Sequence, residues 1–227
     1  MKFMDKIKKF LTKYKHGTIL LYFFIYMIWF TYLEKNVTKY TVVYSKYDNL
    51  IPFMEIFVVP YILWFAFIFI TVAYFFFTSK IDFYKCCAYL FIGMTICLII
   101  YTIWPNGQNL RVDLDNLGRS NIFTYIVSII YKTDTPTNVF PSIHVYNSIG
   151  ASIAIRKSEK LRKIKWIQWL SIILTILISL STVFIKQHSI LDGLSAIILS
   201  IIMYIIVYVP NWSREHKPVE QEKLSNI

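Results

Sequence analysis

An all-α, polytopic membrane fold of about six spans is predicted by three observations. Of the 227 residues, 56% are hydrophobic and 16% charged, and the mean hydropathy of +0.52 lies far outside the range of soluble domains. The apolar residues gather into runs long enough to cross a bilayer as helices, about 20 residues each. The basic residues flank those runs and form no aromatic-studded patch, so the formal charge of +11 points to anionic lipid headgroups as partners and not to nucleic acid.

Residues 1–17 place Phe3, Ile7, Phe10, Leu11 and Tyr14 at helical spacing, with six lysines mostly elsewhere on the wheel. This is the pattern of a basic amphipathic helix lying on a membrane surface, and it lacks the small-residue site of a cleaved leader. A membrane domain over 18–210 follows, with spans at about 18–33, 52–78, 84–104, 141–156, 164–186 and 188–209. Pro60 falls inside the second and is expected to kink it. Cys86, Cys87 and Cys97 share the third run, where they read as packing residues and not as a disulfide framework. The longest polar connection, 105–140, contains "NIFTYIVSIIYK", a short amphipathic or re-entrant helix. Residues 211–227 form a polar tail.

Basic residues orient the plan, because cytoplasmic loops carry the excess of Lys and Arg. Lys35, Lys39, Lys46, Arg111, Arg119, Lys132 and Lys186 fall on one side, and the other 17 of the 24 on the opposite side. Both termini are therefore expected to be cytoplasmic in a multi-pass protein of the cell membrane, with the 105–140 connection on the extracytoplasmic face.

That face collects the polar residues that are costly near a bilayer and so invite a functional reading. "PSIH" opens the fourth span with Ser142 and His144. "KQHSILDG" opens the sixth with His188 and, four residues on, Asp192. Residues four apart share a helix face, so the carboxylate can hydrogen-bond the imidazole and fix its tautomer, leaving the other nitrogen to act as nucleophile or base. A second histidine at the same depth could protonate a leaving group. Arg111 offers the planar donor fork that grips phosphate. Each has an ordinary reading as well: an interfacial histidine, a Ser142 helix cap, a loop cation beside Asp113 and Asp115. Their convergence on one face favours a site. No metal or other cofactor is expected, since neither HExxH nor clustered Cys/His spacing is present.

These residues resemble the type-2 phosphatidic acid phosphatase superfamily, whose signature is written KxxxxxxRP, PSGH and SRxxxxxHxxxD. "PSIH" at 141–144 matches the second part with Ile143 for Gly. "STVFIKQHSILD" at 181–192 matches the third with Ser181, His188 and Asp192 in register and Thr182 for Arg. "WPNGQNLRV" at 104–112 keeps Arg111 but has Trp104 for Lys and Val112 for Pro. The resemblance implies that His188 attacks phosphorus to give a phosphohistidine, Asp192 orients it and His144 protonates the leaving oxygen. It also implies that Arg111, Ser142, Ser181 and the backbone near Ile143 hold the phosphate. Lys186, Arg119 or Lys132 would have to replace the missing cations, while Asp134 and Thr137 are candidate supporting residues. The expected function is metal-independent hydrolysis of a lipid phosphomonoester or pyrophosphate, of phosphatidate or polyprenyl type. The alternatives are transfer of a phosphorylated headgroup to a lipid alcohol, as in the inositol-phosphoceramide and sphingomyelin synthase branch, and a catalytically weak lipid-binding scaffold.

The orientation has a direct test. A cysteine placed at Lys132 is expected to react with an impermeant maleimide from outside intact cells, and one at Lys160 only after the membrane is opened. Equal labelling overturns the orientation.

Overall fold

The computed structural model describes residues 12–210, which leaves most of the expected surface helix and the tail over 211–227 outside the described residues. It is nearly all helical. A 3-10 turn, Lys15–Leu21, runs into α1, Tyr22–Asn36. A second such turn, Glu55–Phe57, runs into α2, Val58–Thr78, followed by α3, Lys80–Ile103. Then come α4, Ile122–Thr133, within the 105–140 connection, α5, Ile143–Lys157, α6, Lys165–Phe184, and α7, Ile190–Tyr208. Among the described residues, five helical stretches are long and apolar enough to cross a membrane: Lys15–Asn36, Glu55–Thr78, Lys80–Ile103, Lys165–Phe184 and Ile190–Tyr208.

Two local expectations are corrected. Pro60 occupies the first turn of α2, where a missing N–H breaks no intrahelical bond, so it produces no mid-span kink. The connection expected at 79–85 is one residue. Ser79 ends α2 in an extended conformation (φ −158°) and caps α3 by accepting from Asp82 N at 3.2 Å. By contrast, "IFTYIVSIIYKT" does form the short helix α4, capped by Asn121, whose side chain accepts from Phe123 N and Thr124 N.

The fourth predicted span, α5, is only 15 residues long and is the axis of the bundle, packed against α2, α3, α6 and α7. Ten of its residues are buried, and they include Ser148, Gly150, Ala151, Ser152 and Ala154. Lipid chains are as apolar as leucine, so helices in a bilayer associate through close backbone approach and interhelical hydrogen bonds. The α5 sequence supplies both. Thr175 Oγ1 donates to Ser148 O at 3.1 Å, and the Ser152 and Ser171 hydroxyls meet at 3.2 Å. Against α3, Tyr146 stacks on Tyr89 at 5.0 Å and donates to the Tyr89 carbonyl at 2.6 Å. Half of the most apolar window of α3 is buried against 22% of that of α2, which makes α3 an interior helix and α2 a lipid-facing one. Cys86, Cys87 and Cys97 lie buried and free on α3.

The 105–140 connection is tied to the start of α5 by one side chain. β1, Thr41–Val42, pairs in parallel with β2, Asn106–Gly107. Asn106 Oδ1 accepts from Val139 N and Phe140 N at 3.0 and 2.8 Å, while its Nδ2 donates to the Trp104 and Phe140 carbonyls. This buried amide fixes the angle at which "DTPTN" delivers the chain to Ser142.

The α3–α5 contact predicts a contrast between two glycines. A Cβ on Gly93 would lie 2.0 Å from the Tyr146 ring, whereas one on Gly193 meets nothing nearer than 3.9 Å. Gly93→Ala is expected to lower the thermal midpoint in detergent, by overpacking worth about 1–3 kcal/mol, and Gly193→Ala to leave it unchanged or raise it. Equal midpoints would contradict this packing.

Candidate active site

After α6 ends at Phe184 the chain folds back on itself. Lys186 adopts φ 58°, and the Thr182 carbonyl accepts from both Gln187 N and His188 N at 2.9 and 3.0 Å. Ser189 then caps α7, with Asp192 at the third helical position closing a reciprocal capping box. The same Asp192 Oδ2 that accepts from Ser189 N at 2.9 Å lies 3.1 Å from His188 Nδ1. Asp192 is 0% exposed and His188 7%. With Nδ1 donating to the carboxylate, Nε2 of His188 has no protein partner among the described residues and belongs to the wall of a cavity.

A second carboxylate, absent from the sequence reading, braces this turn. Asp48 is buried in the 3-10 turn Lys46–Leu50 and accepts from Ser189 Oγ (2.7 Å), Ile190 N (2.8 Å) and Ser45 N (2.7 Å). Two carboxylates thus sit at the start of α7, where the helix dipole favours negative charge. Lys186 Nζ donates to the Asp48 and Ile51 carbonyls at 2.8 and 2.5 Å, so its ammonium is used inside the protein.

His144 lies in the first turn of α5. Its ring packs against Tyr61 and Trp64, each with centroids 4.5 Å away, and faces His188 at 5.7 Å and 64°. Ser142 caps α5 through a long contact from Val145 N (3.5 Å), and its own N–H donates to the Asp192 carbonyl at 3.0 Å, joining the two histidine segments directly. Ser142 is wholly buried, and Ser181 is too, its hydroxyl on the Ile178 carbonyl at 2.6 Å. Neither is in the cavity wall, although Ile143 is.

Arg111 reaches the site only through another residue. Its Nε and Nη2 both donate to Gln187 Oε1, at 3.2 and 2.7 Å, while Nη1 donates to Tyr131 O and Nη2 to Asp134 O, each at 2.8 Å. Four of the five guanidinium N–H groups are thereby used. Burial pulls its pKa below the ordinary value, against the opposing pull of Asp134. Of the other proposed replacement cations, Arg119 forms a two-pronged pair with Glu55 at 2.8 and 2.7 Å, and Lys132 lies exposed on α4.

The cavity is about 770 Å³ and lies between α1, α2, α3 and the start of α5. Its polar end holds His144, His188, Gln187, Asp134 and Asn147. The remainder is apolar, with Phe23, Met27 and Phe30 of α1 facing Phe65, Ile68 and Phe69 of α2. From Tyr61 to Val72 it follows α2 for eleven residue steps, roughly 16 Å at about 1.5 Å per step. The PAP2 superfamily model matches residues 119–215. Over this stretch the chain is similar to the PAP2 superfamily. The match contains both histidines and Asp192, whereas Arg111 lies before it. No curated protein and no solved structure matches the chain. The match and the long apolar helices support a multi-pass membrane protein, and the superfamily is one of phosphatases and phosphotransferases in general.

Sequence reasoning had brought His144, His188 and Asp192 to one place, and the structure does the same. Asp48, Tyr61, Trp64 and Gln187 were missed. Only Gln187, adjacent to His188, carried a local signal. Asp48→Ala leaves three donors without their acceptor at about 1–3 kcal/mol each. Its thermal midpoint is expected to fall well below that of wild type, with Asp48→Asn between the two. An unchanged midpoint for Asp48→Ala would refute the bracing role.

Proposed function

We propose that this chain cleaves a P–O bond of a membrane lipid, without metal, through a phosphohistidine on His188. The observation that carries the reading is the juxtaposition of the free Nε2 of His188 and the His144 ring at the polar end of an apolar cavity. Nε2 attacks phosphorus as the bond to the leaving oxygen breaks, and that oxygen takes a proton from His144. An acceptor O–H then attacks phosphorus, returns its proton to His144 and releases His188. Covalent catalysis divides one displacement into two, with His144 exchanging acid and base roles. Asp192 holds the tautomer of His188, and Ser142 and Ser181 serve as frame. Arg111 acts by orienting Gln187. The placement of the basic residues supports a site at the extracytoplasmic face of the cell membrane.

With water as acceptor the reaction is hydrolysis of a lipid phosphomonoester or pyrophosphate. One observation favours the second reading, transfer of a phosphorylated headgroup to an alcohol. The cavity wall contains no Lys or Arg among the described residues. Phosphoryl transfer depends on stabilising charge, and a monoanionic phosphodiester asks less of a cradle than a dianionic monoester does.

The test is purified full-length protein in detergent with EDTA, offered lipid phosphates and phosphodiesters with and without an alcohol acceptor. Wild type is expected to turn over and form an acid-labile phosphoenzyme. His188→Ala should lose both, by at least about a thousandfold in rate. Free phosphate identifies the hydrolase, and a new phosphodiester identifies the transferase. Activity surviving in His188→Ala, or lipid binding by wild type without turnover, overturns the mechanism.

A further inference from the structure

The charge at the polar end of the cavity is inverted for a phosphate site. Its wall carries a carboxylate, Asp134, and no side-chain cation among the described residues. Asp134 Oδ2 takes one long hydrogen bond, 3.3 Å from Tyr61 OH, and the Tyr61 ring lies against His144. Burial pushes the Asp134 carboxyl above the ordinary carboxylate range, although His188 and Arg111 pull it down. A desolvated carboxylate so weakly partnered gains from an incoming cation.

Among the described residues, the unpartnered atoms in the same wall fall into two sets. Gln187, 3% exposed, has no acceptor for Nε2 beside His188, and Trp64 has none for Nε1 against His144. These are neutral N–H donors suited to phosphate oxygens. Asn147, 2% exposed and one turn beyond His144, has no donor for Oδ1, and Asn138 likewise has none. A buried polar atom left unpaired costs about 1–3 kcal/mol, so both sets call for a ligand that carries acceptors and donors together. A bare phosphomonoester supplies only the first kind.

We infer that the substrate is a lipid phosphodiester whose headgroup carries a protonated primary amine, with the ammonium held by Asp134 and the amide oxygens of Asn138 and Asn147. The phosphate lies between the histidines on Gln187 Nε2 and Trp64 Nε1, and the hydrocarbon chain fills the apolar part of the cavity. The net charge of the bound headgroup is then zero, which matches a wall that supplies no cation. This deepens the phosphohistidine reading and rests on it.

The test compares phosphatidylethanolamine, phosphatidylcholine, phosphatidylglycerol and phosphatidate of identical acyl chains, with full-length protein in detergent, EDTA and a short alcohol as acceptor, and diacylglycerol as the readout. For wild type, kcat/KM on the primary amine lipid is expected to exceed that on each of the others by about tenfold or more, the discrimination open to a site built to pair a polar group. In Asp134→Asn the ratio of phosphatidylethanolamine to phosphatidylglycerol is expected to fall towards one, and Asp134→Glu to restore part of it. A wild-type preference for phosphatidate or phosphatidylglycerol overturns the inference, as does absence of turnover on all four lipids. A preference for phosphatidylcholine removes the amide oxygens from recognition and overturns it as well. Loss of activity in His188→Ala without any headgroup preference sinks this inference alone, whereas activity surviving in His188→Ala sinks the phosphohistidine reading.

Discussion

The first turn of α7 is the constraint on which the site depends. A helix that begins inside protein, beside a bilayer, must satisfy its free N–H groups without water. Ser189, Asp192 and Asp48 do so here, and the same atoms create the chemistry. Asp192 Oδ2 serves the Ser189 amide and His188 Nδ1 together, so the group that starts the helix also selects the tautomer of the proposed nucleophile. Its backbone carbonyl accepts from Ser142 N, which carries the constraint across to α5 and His144. Asp48 extends it to the chain after α1. The two histidines therefore face each other because one helix terminus is satisfied in one particular way.

Around this turn the charge differs from what the superfamily resemblance implied. Arg111 occupies its motif position, but its guanidinium is spent on Gln187 and two carbonyls, and Lys186 points its ammonium into the 46–51 segment. Both cations are bonded within the frame. Such an arrangement relies on prearranged neutral donors, whose orientation costs nothing at the moment of reaction. It also lowers the attraction that a multiply charged lipid would feel on approach.

Features that depend on near neighbours in sequence were legible without coordinates. The apolar runs located the spans to within a few residues, and the four-residue step from His188 to Asp192 announced a shared helix face. The seam between α2 and α3 was legible at Thr78, where the second run ends, but its length was not, because a turn of one residue at Ser79 leaves no polar stretch of its own, and Pro60 read as a kink only because the start of α2 was set too early. The fourth run read as a short span, and it is a central helix of 15 residues in which Ser, Gly and Ala replace large side chains. Asp48 meets Ser189 across 141 residues, and Asn106 meets Phe140 across 34. No periodicity reports such partners. The use of Arg111 was hidden for the same reason: its position follows from the motif, but its hydrogen bonds depend on where Gln187 and the end of α4 arrive.

One further feature concerns α1. This helix packs on α3, with Trp29 Nε1 donating to Thr102 Oγ1 at 3.1 Å and Tyr22 bonded to Thr95, and it forms one side of the cavity opposite α2. At its C-terminal end Glu34 accepts from Thr135 N at 3.1 Å and Asn138 Nδ2 at 2.6 Å. Those residues follow Asp134 in the loop that presents it. The helix wall of the cavity and the loop that carries its carboxylate are therefore held together through one side chain, so that neither can be repositioned without breaking a bond to Glu34.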